Sequence, residues 1–132
     1  MENGKGAIAD GLSNKIGFGS TEFHVVRPGA RILGKYLFEV LQLPAFRAEA
    51  EAKMTGMVGQ KRVPDSFLEN YLVPVPPPKV QKAIVKDIVA VERAASKAAK
   101  QLVGDNEQMT GEIVRQSISA KIVQILQKHL GA

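Results

Sequence analysis

Apolar positions change their period at one place in this chain. From Val80 on, Val80, Ile84, Ile88, Val91, Ala95, Ala98 and Leu102 are spaced 4, 4, 3, 4, 3 and 4. That is a coiled-coil-like seam on one helix, and its alanines allow a neighbour to approach closely. "GDN" at 104–106 breaks the run. Asp105 with Gln108 three residues later resembles a capping box for a second helix. That helix carries Ile113, Val114, Ile118, Ile122, Ile125, Leu126 and Leu130. A lone helix with so narrow an apolar face does not offset the cost of ordering its backbone, so the first long helix needs a partner. The partner is the second helix, another copy of the chain or a different protein.

Before the seam the pattern is mixed. "KGAIA" (5–9) is a short strand candidate. "STEFHVVRP" (20–28) alternates as a strand does, with Thr21, Phe23 and Val25 on one face and Glu22, His24 and Val26 on the other. Ile32, Leu33, Tyr36, Leu37, Val40 and Leu41 then fall at helical spacing. Pro44 suits the first turn of another helix, with Phe46, Ala50 and Met54 on one side. "PDSFLEN" is expected to form a helical turn, and "YLVPV" to run extended into the prolines. Pro76, Pro77 and Pro78 end one unit and start another, because proline neither donates to a sheet ladder nor sits inside a helix. The expectation is an α+β chain: a small mixed portion over residues 1–78, then a helical hairpin or coiled coil over 79–132.

Composition narrows the chemistry. The chain has 132 residues, 45% hydrophobic, which suits one packed domain with an appendage. Without cysteine there is no disulfide framework, thiolate zinc site or cysteine nucleophile. No apolar run approaches the ~20 residues that span a bilayer, and the N-terminus lacks a signal peptide's apolar region, so a cytoplasmic protein with no membrane association is expected. Net charge is +5, which suits an anionic partner. Residues 1–78 hold nine Lys/Arg against eight Asp/Glu, whereas 79–132 hold nine against five, so most of the surplus lies in the helical part.

No catalytic constellation is visible. "FGSTE" around Ser20 fails the nucleophile-elbow pattern, and neither "NGKGA" nor "GMVGQKR" supplies a Walker A loop. His24 and His129 lie on separate elements without ligand-type neighbours in sequence, and no pair of carboxylates stands out as general acid and base. The expectation is a non-enzyme with no metal and no cofactor.

Two stretches can bind. In "IGFGSTEFHVVRP" (16–28), Ser20, Thr21, Glu22 and Arg27 suit hydrogen bonding to base edges or phosphates, or they form an ordinary turn leading into an edge strand. "TGMVGQKRVP" (55–64) sets Gly56 and Gly59 beside Gln60, Lys61 and Arg62. Such a loop can cradle an anion or simply expose solvated charges. Its Gly56-Met57-Val58-Gly59 also fits the G-x-x-G of KH domains, which clamp single-stranded nucleic acid.

Taken in order, "NGKGAIADGLSNKIGFGSTEFHVVRP", a helical pair, and "MTGMVGQKRVPDSFLENYLVPVPPPKVQKAIV" resemble the specificity subunit of type I restriction-modification systems. The similarity runs over roughly residues 3–103 and matches the distal part of a target recognition domain with the conserved helix after it. "VRQSISAKIVQILQKHL" is similar to the way such subunits finish. Pro78 stands where that family commonly has leucine. The resemblance implies a non-catalytic reader of double-stranded DNA that docks methyltransferase subunits through its helices and, through the whole complex, meets restriction subunits. On that reading Thr55, Gly56, Gln60, Lys61 and Arg62 face DNA. Lys61 and Arg62 reach phosphates or guanine, and Gln60 pairs with adenine. The alternative is an assembly module that uses the helices for docking or self-association without reading DNA.

Overall fold

The computed structural model describes residues 5–56, 61–104 and 106–131, apart from the side chains of Glu107, Gln108 and Glu112. It is mostly helical. After a single 3-10 turn at Ser13–Lys15 come α1 (Gly34–Leu41), α2 (Pro44–Ala52), α3 (Asp65–Asn70), α4 (Pro78–Val103) and α5 (Glu107–Leu130). The chain divides into two compact units, one ending at Val75 and the other beginning at Pro76.

In the first unit the helices start where their sequences dictate. Pro44 occupies the first turn of α2, where a missing N–H costs nothing. Pro64 flanks α3, whose first residue, Asp65, puts a carboxylate at the positive end of the helix. Phe46, Ala50 and Val63 form the buried centre, with Leu41, Leu43, Met54, Phe67, Leu68 and Tyr71 packed around them. The Phe46 ring meets Tyr71 edge-on at 4.8 Å between centroids, and Phe67 lies 5.9 Å away. Burial pushes the Tyr71 hydroxyl up from its ordinary pKa, with a further contribution from the Glu49 carboxylate. On α1, Tyr36 and Val40 are buried, and Glu39, also buried, is met by Lys35 Nζ at 2.6 Å one turn earlier. The Tyr36 hydroxyl donates to the Pro74 carbonyl at 2.8 Å, and burial raises its pKa.

The expected strands at 5–9 and 20–28 do not form among the described residues, whose only β pairing is an isolated antiparallel bridge between Thr55 and Arg62. A strand is made by its neighbour, and the 20–28 segment has no ladder partner here. Its apolar side chains accordingly stay in solvent: Phe23 is 67% and Val25 76% exposed. The mixed α+β expectation is therefore met only in its helical part.

The second unit is an α4–α5 hairpin. Pro78, placed before the helix by the sequence pattern, is its first residue, and Gln81 turns back to donate from Nε2 to the Pro76 carbonyl at 2.7 Å. Gly104 ends α4 at φ 64°, a conformation that a side chain would strain. Asn106 caps α5 by accepting from Met109 N at 3.1 Å, one residue beyond the expected cap at Asp105, which lies outside the described residues. At the opposite end His129 Nε2 donates to Asp87 Oδ2 at 3.0 Å, with Lys128 Nζ 3.7 Å away. The hydrogen bond from His129 holds the Asp87 carboxyl below its ordinary range against the opposing effect of desolvation, with a lesser contribution from the charge of Lys128.

The buried line on α4 follows the expected seam and then leaves it. Ile84 and Ile88 are fully buried, and Val80, Val91 and Ala95 are half-buried. Ala98 is exposed while Ala99 is buried, and Leu102 is 78% exposed. A straight helix drifts by about 20° per heptad from a strict 3.5-residue repeat, so by the third heptad the line has passed from Ala98 to Ala99.

Candidate nucleic-acid interface

Two segments singled out in the sequence meet in the first unit. Thr55 and Arg62 exchange both backbone hydrogen bonds, each at 2.9 Å, and so form a closed neck. Alternation past the neck is decisive: Val63 turns inward to the Phe46 core, and Arg62, its neighbour, turns outward. Gly56 leaves the neck at φ 123°, outside the range of ordinary side-chain-bearing residues. Lys61 is exposed, and Gln60 lies outside the described residues, as do Met57 to Gly59.

Against this neck lies the 20–24 turn. The Ser20 carbonyl accepts from Phe23 N at 3.1 Å and its hydroxyl from Glu22 N at 3.2 Å, which fixes the backbone of Glu22. The Glu22 carboxylate forms an ion pair with the Arg62 guanidinium, both side chains being about half exposed. Two residues on, His24 Nδ1 lies 3.0 Å from Asp65 Oδ1 at the start of α3. Thus Ser20, Glu22, Thr55 and Arg62 are brought together, with Thr21 and Lys61 exposed beside them in sequence. Arg27 is exposed, and no described interaction joins it to the group.

Sequence reasoning missed the pairing of Glu22 with Arg62 and of His24 with Asp65, because partners some 40 residues apart leave no local spacing to detect. It also treated the two segments as separate candidates. The KH-like alternative rests on Gly56 to Gly59, of which Met57, Val58 and Gly59 lie outside the described residues.

Among the described residues no three His, Asp or Glu side chains converge as a metal would require. A hollow between α4 and α5, lined by Glu92, Ser96, Lys100, Thr110, Gly111 and Val114, is open to solvent. Among the described residues no helix is long and apolar enough to cross a membrane.

The described residues are thus largely helical, with exposed Lys61 and Arg62 beside the Ser20–Glu22 turn. Across 86 residues, 64% of its length, the chain is 48% identical to the type I restriction enzyme EcoAI specificity subunit of Escherichia coli. It is 45% identical over 86 residues to the EcoEI specificity subunit of the same organism. The resemblance to type I specificity subunits read from the sequence therefore holds over that stretch. The match spans 15% and 14% of the lengths of those two relatives. No family model matches the chain, and no solved structure does.

Proposed function

We propose that this chain is a non-catalytic DNA-specificity segment of a type I restriction-modification complex. The loop from Thr55 to Arg62 contacts duplex DNA, with Lys61 and Arg62 on phosphates or guanine and Ser20 and Thr21 on the same face. Gln60 reads adenine from the loop, and Arg27 adds a phosphate contact. The helices dock methyltransferase subunits and, through the assembled complex, meet restriction subunits in the cytoplasm. The observation that carries the DNA reading is the outward Arg62 on a neck anchored by Val63, with the Ser20–Glu22 turn beside it. In the complete recognition domain the 20–28 segment gains a strand partner, which restores the α+β character; exposed Phe23 and Val25 support this.

The test is the anisotropy of a labelled mixed-sequence duplex titrated with the chain over a series of salt concentrations. Log affinity falls linearly with log salt, because each neutralised phosphate releases counterions. A Lys61→Ala/Arg62→Ala double variant flattens the slope by about 0.9 for each phosphate that is no longer neutralised. An unchanged slope in that variant would remove the loop from the interface.

A second reading, an assembly module that does not read DNA, draws support from exposed Leu102, Met109 and Val123 on the hairpin. It requires self-association or methyltransferase binding in solution, together with no duplex binding even at low salt.

A further inference from the structure

The Glu22–Arg62 pair bears on how the candidate interface is regulated. Each partner's backbone is fixed independently of the pair: Arg62 by its bridge to Thr55, and Glu22 by the Ser20 turn. Only the charged ends, both about half exposed, meet. A guanidinium takes two oxygens in a planar fork, and a carboxylate and a phosphate present that fork with the same geometry and charge sign. The anion position of Arg62 is therefore filled from within the chain by a group that solvent reaches freely.

We propose that Glu22 is an internal competitor for Arg62, which a DNA phosphate displaces on binding. The inference rests on the DNA-contacting reading above. His24 and Asp65 keep the 22–24 segment beside Arg62 after the exchange, so the freed carboxylate stays at hand to reclaim the guanidinium from the phosphate. Glu22 thereby lowers affinity for any duplex, whatever its sequence, and leaves discrimination to groups that reach base edges. An exposed pair of this kind shifts an equilibrium by no more than about fivefold, so the device tunes binding and does not abolish it.

A double-mutant cycle on the full chain tests this, with Glu22→Gln, Arg62→Ala and the double variant titrated against the same labelled mixed-sequence duplex. Glu22→Gln is expected to bind about two- to fivefold tighter at low salt. The gain should shrink as salt rises, because the pair it removes is itself screened. Its salt slope is steeper than that of the unaltered chain by up to about 0.9, the value of one phosphate contact. In the Arg62→Ala background Glu22→Gln changes neither affinity nor slope, since a residue acting through Arg62 has nothing left to act on. The same gain in both backgrounds overturns the proposal and reduces Glu22 to a contribution to net charge. Unchanged or weaker binding by Glu22→Gln, when the unaltered chain binds, also overturns it while leaving the DNA reading intact. If none of the four proteins binds duplex DNA at low salt, the DNA reading and the competitor fall together.

Discussion

The two units are built from different materials. All five phenylalanines and both tyrosines lie within residues 1–75, and none follows Pro76. The first unit closes around the Phe46, Phe67 and Tyr71 rings, using short helices, the Glu22–Arg62 ion pair and the contact between His24 and Asp65. The second closes with isoleucine, leucine and alanine along two helices of 26 and 24 residues. A few large rings can centre a small irregular fold, because each contributes much area and a defined orientation. A hairpin of long helices needs only a line of modest side chains, since its backbone hydrogen bonds are already satisfied within each helix. The difference also separates the spectroscopic signals. Aromatic near-ultraviolet dichroism reports on the first unit, and the far-ultraviolet helical signal is dominated by the second.

The largest effect expected from breaking this contrast is Phe46→Ala, which empties the centre of the ring cluster and costs about 3–5 kcal/mol. Denaturant titration should show the near-ultraviolet signal disappearing early while most of the helical signal persists. A single shared midpoint would mean that the units unfold as one. The reciprocal change, Ile88→Ala, removes a fully buried side chain from α4 at a cost of about 2–5 kcal/mol. There the helical signal should fall first and the aromatic signal survive.

A smaller, pH-confined effect belongs to Asp87. Its folded pKa is depressed, so its contribution to stability is fully present above the unfolded carboxylate value of about 3.9 and is lost as pH falls through the lower folded one. Denaturation midpoints followed from neutral pH into acid should therefore drop more for the unaltered chain than for Asp87→Asn. Equal acid sensitivity in the two proteins would show that the clasp to His129 adds nothing to the hairpin.

What could be read in advance was local. The helical spacing of Tyr36 and Val40, the proline at the start of α2 and the Phe46–Ala50 face each depend on residues within a turn or two, and each appears as expected. The outcome diverged where a distant or cumulative effect decides. The 20–28 segment alternates correctly, but pairing requires a neighbouring strand that the described residues do not contain. The α4 seam holds for two heptads and then drifts, a deviation too small to see in any single step. At the candidate interface the individual groups at 20–22 and 61–62 were legible, but the pairing of Glu22 with Arg62 was not, because it depends on how the neck at Thr55 packs.

The proline run before α4 has a consequence for experiments that watch the backbone. Pro74, Pro76, Pro77 and Pro78 have no amide hydrogen, so between Leu72 and Lys79 only Val73 and Val75 carry one. The carbonyls of Pro74 and Pro76 are instead held by side chains, through the Tyr36 hydroxyl and the Gln81 amide. In hydrogen–deuterium exchange the junction is consequently almost silent. A peptide map will show one protection pattern ending and another beginning, with no signal from the joint itself. Loosening of that joint has to be followed at its two anchors, through the environment of the Tyr36 ring and the side-chain amide resonances of Gln81.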